Sequence, residues 1–204
     1  MKVYLETLGC QMNRLDSELV TGSLQAAGHE IIADRKAADV VLYNTCSVRQ
    51  HAENKVHSRV GSDCQRKAHH RPDLVIGVLG CMAQRLADEL ARKYPLLNIV
   101  CGPGQLARLP EMIAQAAAGQ DTIAVDPDRK APPERQERAG ELIDRLDLSR
   151  DPDHAAPSAQ AYVRVMHGCN NFCTYCIVPY TRGAERSRPP QDIVDECRRL
   201  VDAG

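Results

Sequence analysis

The 204-residue chain lacks an excess of either charge. Its 26 Lys and Arg stand against 27 Asp and Glu, a formal net charge of -1, so no global basic field is present and any contact with a polyanion must be local. It also lacks an apolar run of membrane-spanning length, and its first residues, Met1-Lys2-Val3-Tyr4-Leu5-Glu6, show no basic start followed by an apolar stretch. A cytoplasmic protein without membrane contact is the expectation. Core-forming residues are in good supply, at 43% hydrophobic, and so is cysteine. Nine cysteines stand at positions 10, 46, 64, 81, 101, 169, 173, 176 and 197. An odd number without a leader fits a disulfide framework badly and fits reduced, metal-holding thiols better.

Cys169, Cys173 and Cys176 form a CxxxCxxC spacing within Gly168-Cys169-Asn170-Asn171-Phe172-Cys173-Thr174-Tyr175-Cys176. Three sulfurs so close together can converge without help from distant structure, and Gly168, Asn170 and Asn171 suit a tight, exposed backbone. Thiolates are soft donors that select iron-sulfur clusters, zinc or copper. A four-iron cluster needs four ligands, so three thiolates leave one iron open for chemistry. Structural zinc is the competing reading, although it usually presents CxxC pairs with a fourth Cys or His; His167 is adjacent in sequence only.

The first 120 residues repeat one plan: a short apolar strand, a turn containing cysteine, then an amphipathic helix. Lys2 to Thr7 precedes Cys10 and a helix from about Asp16, closed by Gly28. Ala38 to Asn44 precedes Cys46 and a helix from Ser47 to about Ala68. Leu74 to Leu79 precedes Cys81 and a helix from about Ala83 to Tyr94, and Asn98 to Cys101 precedes a last helix ending near Gly119. Such alternation predicts an α/β fold, an open and mostly parallel sheet with helices on both faces. Cys10, Cys46 and Cys81 each follow a strand and so land on the same sheet edge, where ligand sites of open α/β sheets form. They could share a metal there; equally, a free cysteine is often a small buried hydrophobe. Cys101 is the rival ligand, while Cys64 and Cys197 lie on predicted helices.

Residues 121 to 160 are rich in charge and proline and read as a linker, within which Glu141 to Leu148 could form a short helix or strand. Residues 161 to 166 alternate like a strand, the CxxxCxxC loop follows, and Pro190 to Ala203 carries helix signals. One such unit cannot close a barrel, so residues 161–204 read as the truncated start of a second domain. Two basic runs are present. Arg66, Lys67, His69, His70 and Arg71 read as surface; Arg182, Arg186 and Arg188 are either surface or a grip for carboxylate or phosphate.

These residues resemble the radical S-adenosylmethionine (SAM) methylthiotransferases. The resemblance rests on Thr7-Leu8-Gly9-Cys10-Gln11-Met12-Asn13, Asn44-Thr45-Cys46-Ser47-Val48-Arg49, Gly80-Cys81-Met82-Ala83-Gln84, and Gly168-Cys169 through Cys176-Ile177-Val178-Pro179-Tyr180-Thr181-Arg182-Gly183 with Ser187-Arg188-Pro189. It implies two 4Fe-4S clusters, a catalytic one on Cys169, Cys173 and Cys176 and an auxiliary one on Cys10, Cys46 and Cys81, with Tyr175 near the SAM adenine. It further implies reductive cleavage of SAM at the open iron to a 5'-deoxyadenosyl radical, removal of a hydrogen from the substrate, sulfur delivery from the auxiliary site and methylation by a second SAM. The first-cysteine signature is similar to the branch acting at C2 of isopentenylated adenosine beside the tRNA anticodon, with an electron donor such as flavodoxin or ferredoxin. The alternatives are threonylcarbamoyl-adenosine in tRNA, a ribosomal protein, or a non-catalytic metal protein. The family continues into a partial barrel and an RNA-binding β domain, so this portion is expected to be inactive alone.

Overall fold

The computed structural model describes residues 1–126, 133–148, 150 and 160–203. Six strands, β1 (Lys2–Leu8), β2 (Glu30–Ile31), β3 (Val40–Thr45), β4 (Val75–Gly80), β5 (Ile99–Cys101) and β6 (Thr122–Ala124), form one sheet in the order β2-β1-β3-β4-β5-β6. Every neighbouring pair is parallel, as the alternation of strands and helices predicts. The apolar runs of β3 and β4 are buried at every residue, because a central parallel strand is covered on both faces. Their side chains alternate: Val40, Leu42, Val75 and Leu79 enter one core, and Val41, Tyr43, Ile76 and Val78 the other.

Four helices, α1 (Gln11–Ala26), α2 (Gln50–His69), α3 (Cys81–Lys93) and α4 (Leu109–Ala117), cover the sheet. Leu15, Leu19 and Leu24 of α1 join Leu109, Met112 and Ile113 of α4 over one face. Val56 and Val60 of α2 join Met82 and Leu90 of α3 over the other. Helix α1 starts at Gln11, earlier than the apolar spacing suggests, because Asn13 Oδ1 accepts the Cys10 N–H at 3.4 Å and the Cys10 carbonyl accepts from Arg14 at 3.2 Å. The first of these satisfies a donor that a helix start otherwise leaves open, and the second is the first i→i−4 bond of the helix.

Strands β2 and β6 were not foreseen; at two and three residues they are too short to show a period of two. Strand β6 carries the sheet past residue 120, so the stretch expected as a linker opens with an edge strand. Glu141 to Leu148 lies in a helix, α5 (Pro133–Leu148), which packs on α1 and on the 3-10 turn Pro103–Arg108. The rest of that stretch, 127–132, 149 and 151–159, lies outside the described residues.

Toward the C-terminus the alternating run 161–166 is strand only at β7 (Met166–His167), which pairs antiparallel with β8 (Arg186–Ser187). No described strand runs beside 161–165, and a single further bond, from Arg188 N–H to Val165 O at 3.0 Å, extends the pairing. Helices α6 (Val178–Thr181) and α7 (Pro190–Asp202) complete the order. No helix among the described residues is long and apolar enough to cross a membrane.

Leu42, fully buried at the centre of the sheet, tests this core. Leu42→Ala is expected to lower unfolding free energy by about 2–5 kcal/mol, and exposed Val48→Ala by no more than about 0.5 kcal/mol, both read by urea denaturation.

Candidate metal-binding site

Register sets the first part of the site. Leu8 pairs with Thr45 and Thr45 with Gly80, so β1, β3 and β4 finish in one row and Cys10, Cys46 and Cys81 follow within two residues of it. Strand order reverses between β1 and β3, since β2 lies on the far side of β1, and the crevice beyond such a switch point is where open α/β sheets bind ligands. Two strand spacings separate β1 from β4, which keeps the three backbones within about 10 Å of one another. Cys101 pairs with Leu79, one residue behind the row. Its thiol is fully buried, and burial holds its pKa well above the ordinary value. Cys64 lies on α2 and Cys197, exposed, on α7.

A buried amide bridge fixes the row. Asn13 Nδ2 donates to Asn44 Oδ1 at 2.9 Å and to Thr45 O at 3.1 Å, and Asn44 Nδ2 donates to Asn13 O at 3.0 Å and Ser17 Oγ at 2.9 Å. The Cys10 thiol donates to Asn13 Oδ1 at 3.1 Å, and Val48 N–H donates to Cys46 Sγ at 3.3 Å. Gly80, at φ +87°, brings the backbone against this bridge: a Cβ there would collide with Asn44 Oδ1 and lie 2.7 Å from Thr45 O. Cys81 then starts α3, where the helix N-terminus favours a thiolate. Burial pushes the Cys81 thiol up, while Arg182 and Thr181 beside it pull the other way.

The CxxxCxxC loop is tied at both ends. Cys169 N–H donates to Gly183 O at 3.2 Å, Cys176 N–H to Cys173 O at 2.9 Å, and Glu185 N–H to Asn170 Oδ1 at 3.1 Å. Gly168, at φ +71°, permits the crossing, since a Cβ there would run into the Ala184 carbonyl. Cys173 is exposed, Cys169 and Cys176 partly so, and Tyr175 is 91% exposed. Phe172 stands edge-on to Tyr180, ring centroids 6.0 Å apart. His167 is buried, and burial with the charges of Arg182 and Arg164 pushes its pKa down to about 3, so its ring is neutral.

A chain of alternating charges joins the loop to the sheet edge. Arg182 Nη2 meets Asp16 Oδ2 at 2.6 Å, and Arg164 Nη2 meets Asp16 Oδ1 at 2.6 Å. Arg164 continues to Asp147 at 2.9 Å, Asp147 to Arg188 at 3.7 Å, Arg188 to Glu196 at 2.5 Å, Glu196 to Arg150 at 2.9 Å, and Arg150 to Glu18 at 3.1 Å. Only Glu18 has substantial exposure. Arg186 pairs separately with Asp144 at 2.6 Å. The second basic run therefore grips carboxylates, and they belong to this chain. In the first run, Arg66 and Lys67 bond to Arg35 O and Asn98 Oδ1, and Arg71 pairs with Asp39 and Asp73. Sequence reasoning missed Asp16 and Arg164 because their contact spans 148 residues; the one available signal was a charge among the apolar positions of α1.

Among the described residues no group of three His, Cys, Asp or Glu side chains is arranged to hold a metal ion, and none of the nine cysteines is in a disulfide. The residues nevertheless suit a thiolate-bound, anionic cluster: soft sulfur donors stand in two sets, and next to Cys81 the buried Nη1 of Arg182 makes no hydrogen bond of normal geometry among the described residues.

Residues 163–204 match the Radical SAM superfamily, and residues 2–102 match the Uncharacterized protein family UPF0004. The chain is 42% identical over 203 residues to the tRNA-2-methylthio-N(6)-dimethylallyladenosine synthase of Rhodopirellula baltica, covering 99% of this chain and 42% of that protein. The synthases of the same name from Moorella thermoacetica and Bacillus subtilis are 42% identical over 201 residues and 38% over 205, covering 97% and 100% of this chain and 42% and 37% of their own lengths. The chain thus spans about two fifths of the curated relatives it matches. Residues 163–204, which carry this loop, are thus similar to radical SAM proteins, a superfamily that implies SAM and an iron-sulfur cluster. Within that resemblance the chain is similar over nearly its whole length to tRNA-2-methylthio-N(6)-dimethylallyladenosine synthases.

Two outcomes test the charge chain. Asp16→Asn strips the carboxylate from two buried guanidinium groups and is expected to cost about 3–5 kcal/mol in urea denaturation, whereas Glu18→Gln at the exposed end costs under about 1 kcal/mol. Burial lifts Asp147, against Arg164 and Arg188 and with Glu196 and Asp16 adding, to about 6. The folded chain then holds that proton more tightly than the unfolded chain, whose aspartate pKa is about 3.9. This contribution to stability is fully present below about pH 4 and falls away as pH rises to 6. Asp147→Asn is expected to flatten the urea midpoint against pH over that window.

Proposed function

We propose that this chain is the cluster-bearing portion of a cytoplasmic methylthiotransferase that modifies C2 of isopentenylated adenosine beside the tRNA anticodon. The observation carrying this reading is the clamp between the two thiol sets: Arg182, six residues after Cys176, pairs with Asp16, six residues after Cys10, and lies against Cys81. A reaction needing a radical generator and a sulfur-handling site requires such a join. The names of the relatives support the tRNA substrate. The activity is proposed for the protein that joins this portion to the rest of its length, with flavodoxin or ferredoxin as electron donor, and not for residues 1–204 alone.

Cys169, Cys173 and Cys176 would supply three thiolates and leave one coordination position for SAM. Cys10, Cys46 and Cys81 would hold the second four-iron cluster at the switch-point crevice. When bound, the first cluster and SAM supply one-electron chemistry able to remove a ring hydrogen that no side-chain acid or base could take. The chain's own residues position: Gly168 and Gly183 close the loop, the exposed ring of Tyr175 offers a face for the SAM adenine, and buried His167, two residues before Cys169, stays neutral and adds no charge.

Anaerobic reconstitution followed by iron and sulfide counting tests the proposal. About eight irons are expected on residues 1–204 and about four after Cys169→Ala, Cys173→Ala and Cys176→Ala together. Stoichiometric zinc without visible absorption would sink the reading.

A further inference from the structure

Arg182 ends the charge chain on an open donor. The order runs Glu18, Arg150, Glu196, Arg188, Asp147, Arg164, Asp16, Arg182, each charge facing its opposite, with exposure at the Glu18 end and burial at the Arg182 end. Arg182 spends Nη2 on Asp16, and Asp16 is itself shared with Arg164, so Arg182 receives only half of one carboxylate. Its Nη1 makes no hydrogen bond of normal geometry among the described residues, although the side chain is only 6% exposed and the guanidinium interacts with the Cys81 sulfur. Such an unmade bond on a buried charged group is costly. The group beside it is Cys81, at the first turn of α3 and at the end of the row that also carries Cys10 and Cys46. The next member of the alternation is therefore a negative one, located at the Cys81 sulfur.

We propose that Arg182 is a positioning residue of the auxiliary site: its Nη1 donates to the thiolate or sulfide sulfur of the cluster held by Cys10, Cys46 and Cys81. The half of the chain that bears CxxxCxxC thereby supplies an outer donor to the other half's cluster. This rests on the two-cluster reading above. A cationic donor at cluster sulfur stabilises the reduced, more negative state, so its loss lowers the reduction potential.

The test uses residues 1–204 carrying Cys169→Ala, Cys173→Ala and Cys176→Ala, reconstituted so that only the auxiliary cluster remains, with the midpoint potential followed by visible absorption and electron paramagnetic resonance. If this parent binds no iron, the two-cluster reading fails and this inference with it. If it binds about four irons, Arg182→Gln is expected to move the midpoint to lower potential. Arg182→Lys, which keeps a charge near Asp16 but loses the planar fork, is expected to move it less in the same direction, and it decides the matter should Arg182→Gln not fold. Arg164→Gln breaks the other pairing with Asp16 without removing the donor beside Cys81, and is expected to leave the midpoint near the parent value. An unchanged midpoint in the Arg182 variants, or an equal shift in Arg164→Gln, overturns the proposal.

Discussion

Asp16 is the constraint on which the arrangement of the site depends. It sits on α1 one and a half turns beyond Cys10, is 1% exposed, and accepts a guanidinium on each oxygen at 2.6 Å. One of those arginines precedes the CxxxCxxC loop and the other follows it. Both ends of the loop are thereby referred to a single carboxylate whose own position is set by the helix that Cys10 begins. An apolar contact of equal area would be non-directional and would tolerate sliding. A carboxylate bonded by two planar forks fixes distance and orientation together.

That precision has a thermodynamic cost. Burying ion pairs is seldom better for stability than burying well-packed apolar groups of the same volume, because desolvation offsets most of the Coulomb gain. Apolar residues supply stability elsewhere in this chain, in the two cores on either side of the sheet. Reserving alternating charge for the join between the sheet edge and the loop fits a role in registration. The raised pKa of Asp147, in the middle of the series, shows that burial there outweighs the pull of Arg164 and Arg188.

Much of this architecture is legible in the sequence, for local reasons. The continuous apolar runs of β3 and β4 and the helices after them announce a parallel sheet, and parallel strands oblige Cys10, Cys46 and Cys81 to share an edge. The short edge strands β2 and β6 leave no periodic trace, and β6 falls in a stretch whose composition suggests a linker. The charge chain is illegible for a different reason. Its pairs join residues up to 166 positions apart, and a buried arginine looks in sequence like one on a solvated face. Arg182, Arg186 and Arg188 could be read as gripping carboxylates, but nothing in their spacing indicates that the carboxylates are Asp16, Asp144, Asp147 and Glu196.

The two cysteine sets differ in how they are held, and the difference matches the tasks proposed for them. Cys46 and Cys81 are buried beside an amide bridge that exchanges four hydrogen bonds among Asn13, Asn44, Thr45 and Ser17. A group bound there is enclosed by rigid elements, which suits a site that must hold and hand over sulfur without loss to solvent. Cys169, Cys173 and Cys176 project from a loop pinned at its ends but open along its length, with Cys173 and Tyr175 exposed. An open loop suits a site that must admit a cofactor and release its products. Arg182 belongs to the second set by sequence and to the first by contact, and so it ties the two sets together at Asp16 and Cys81.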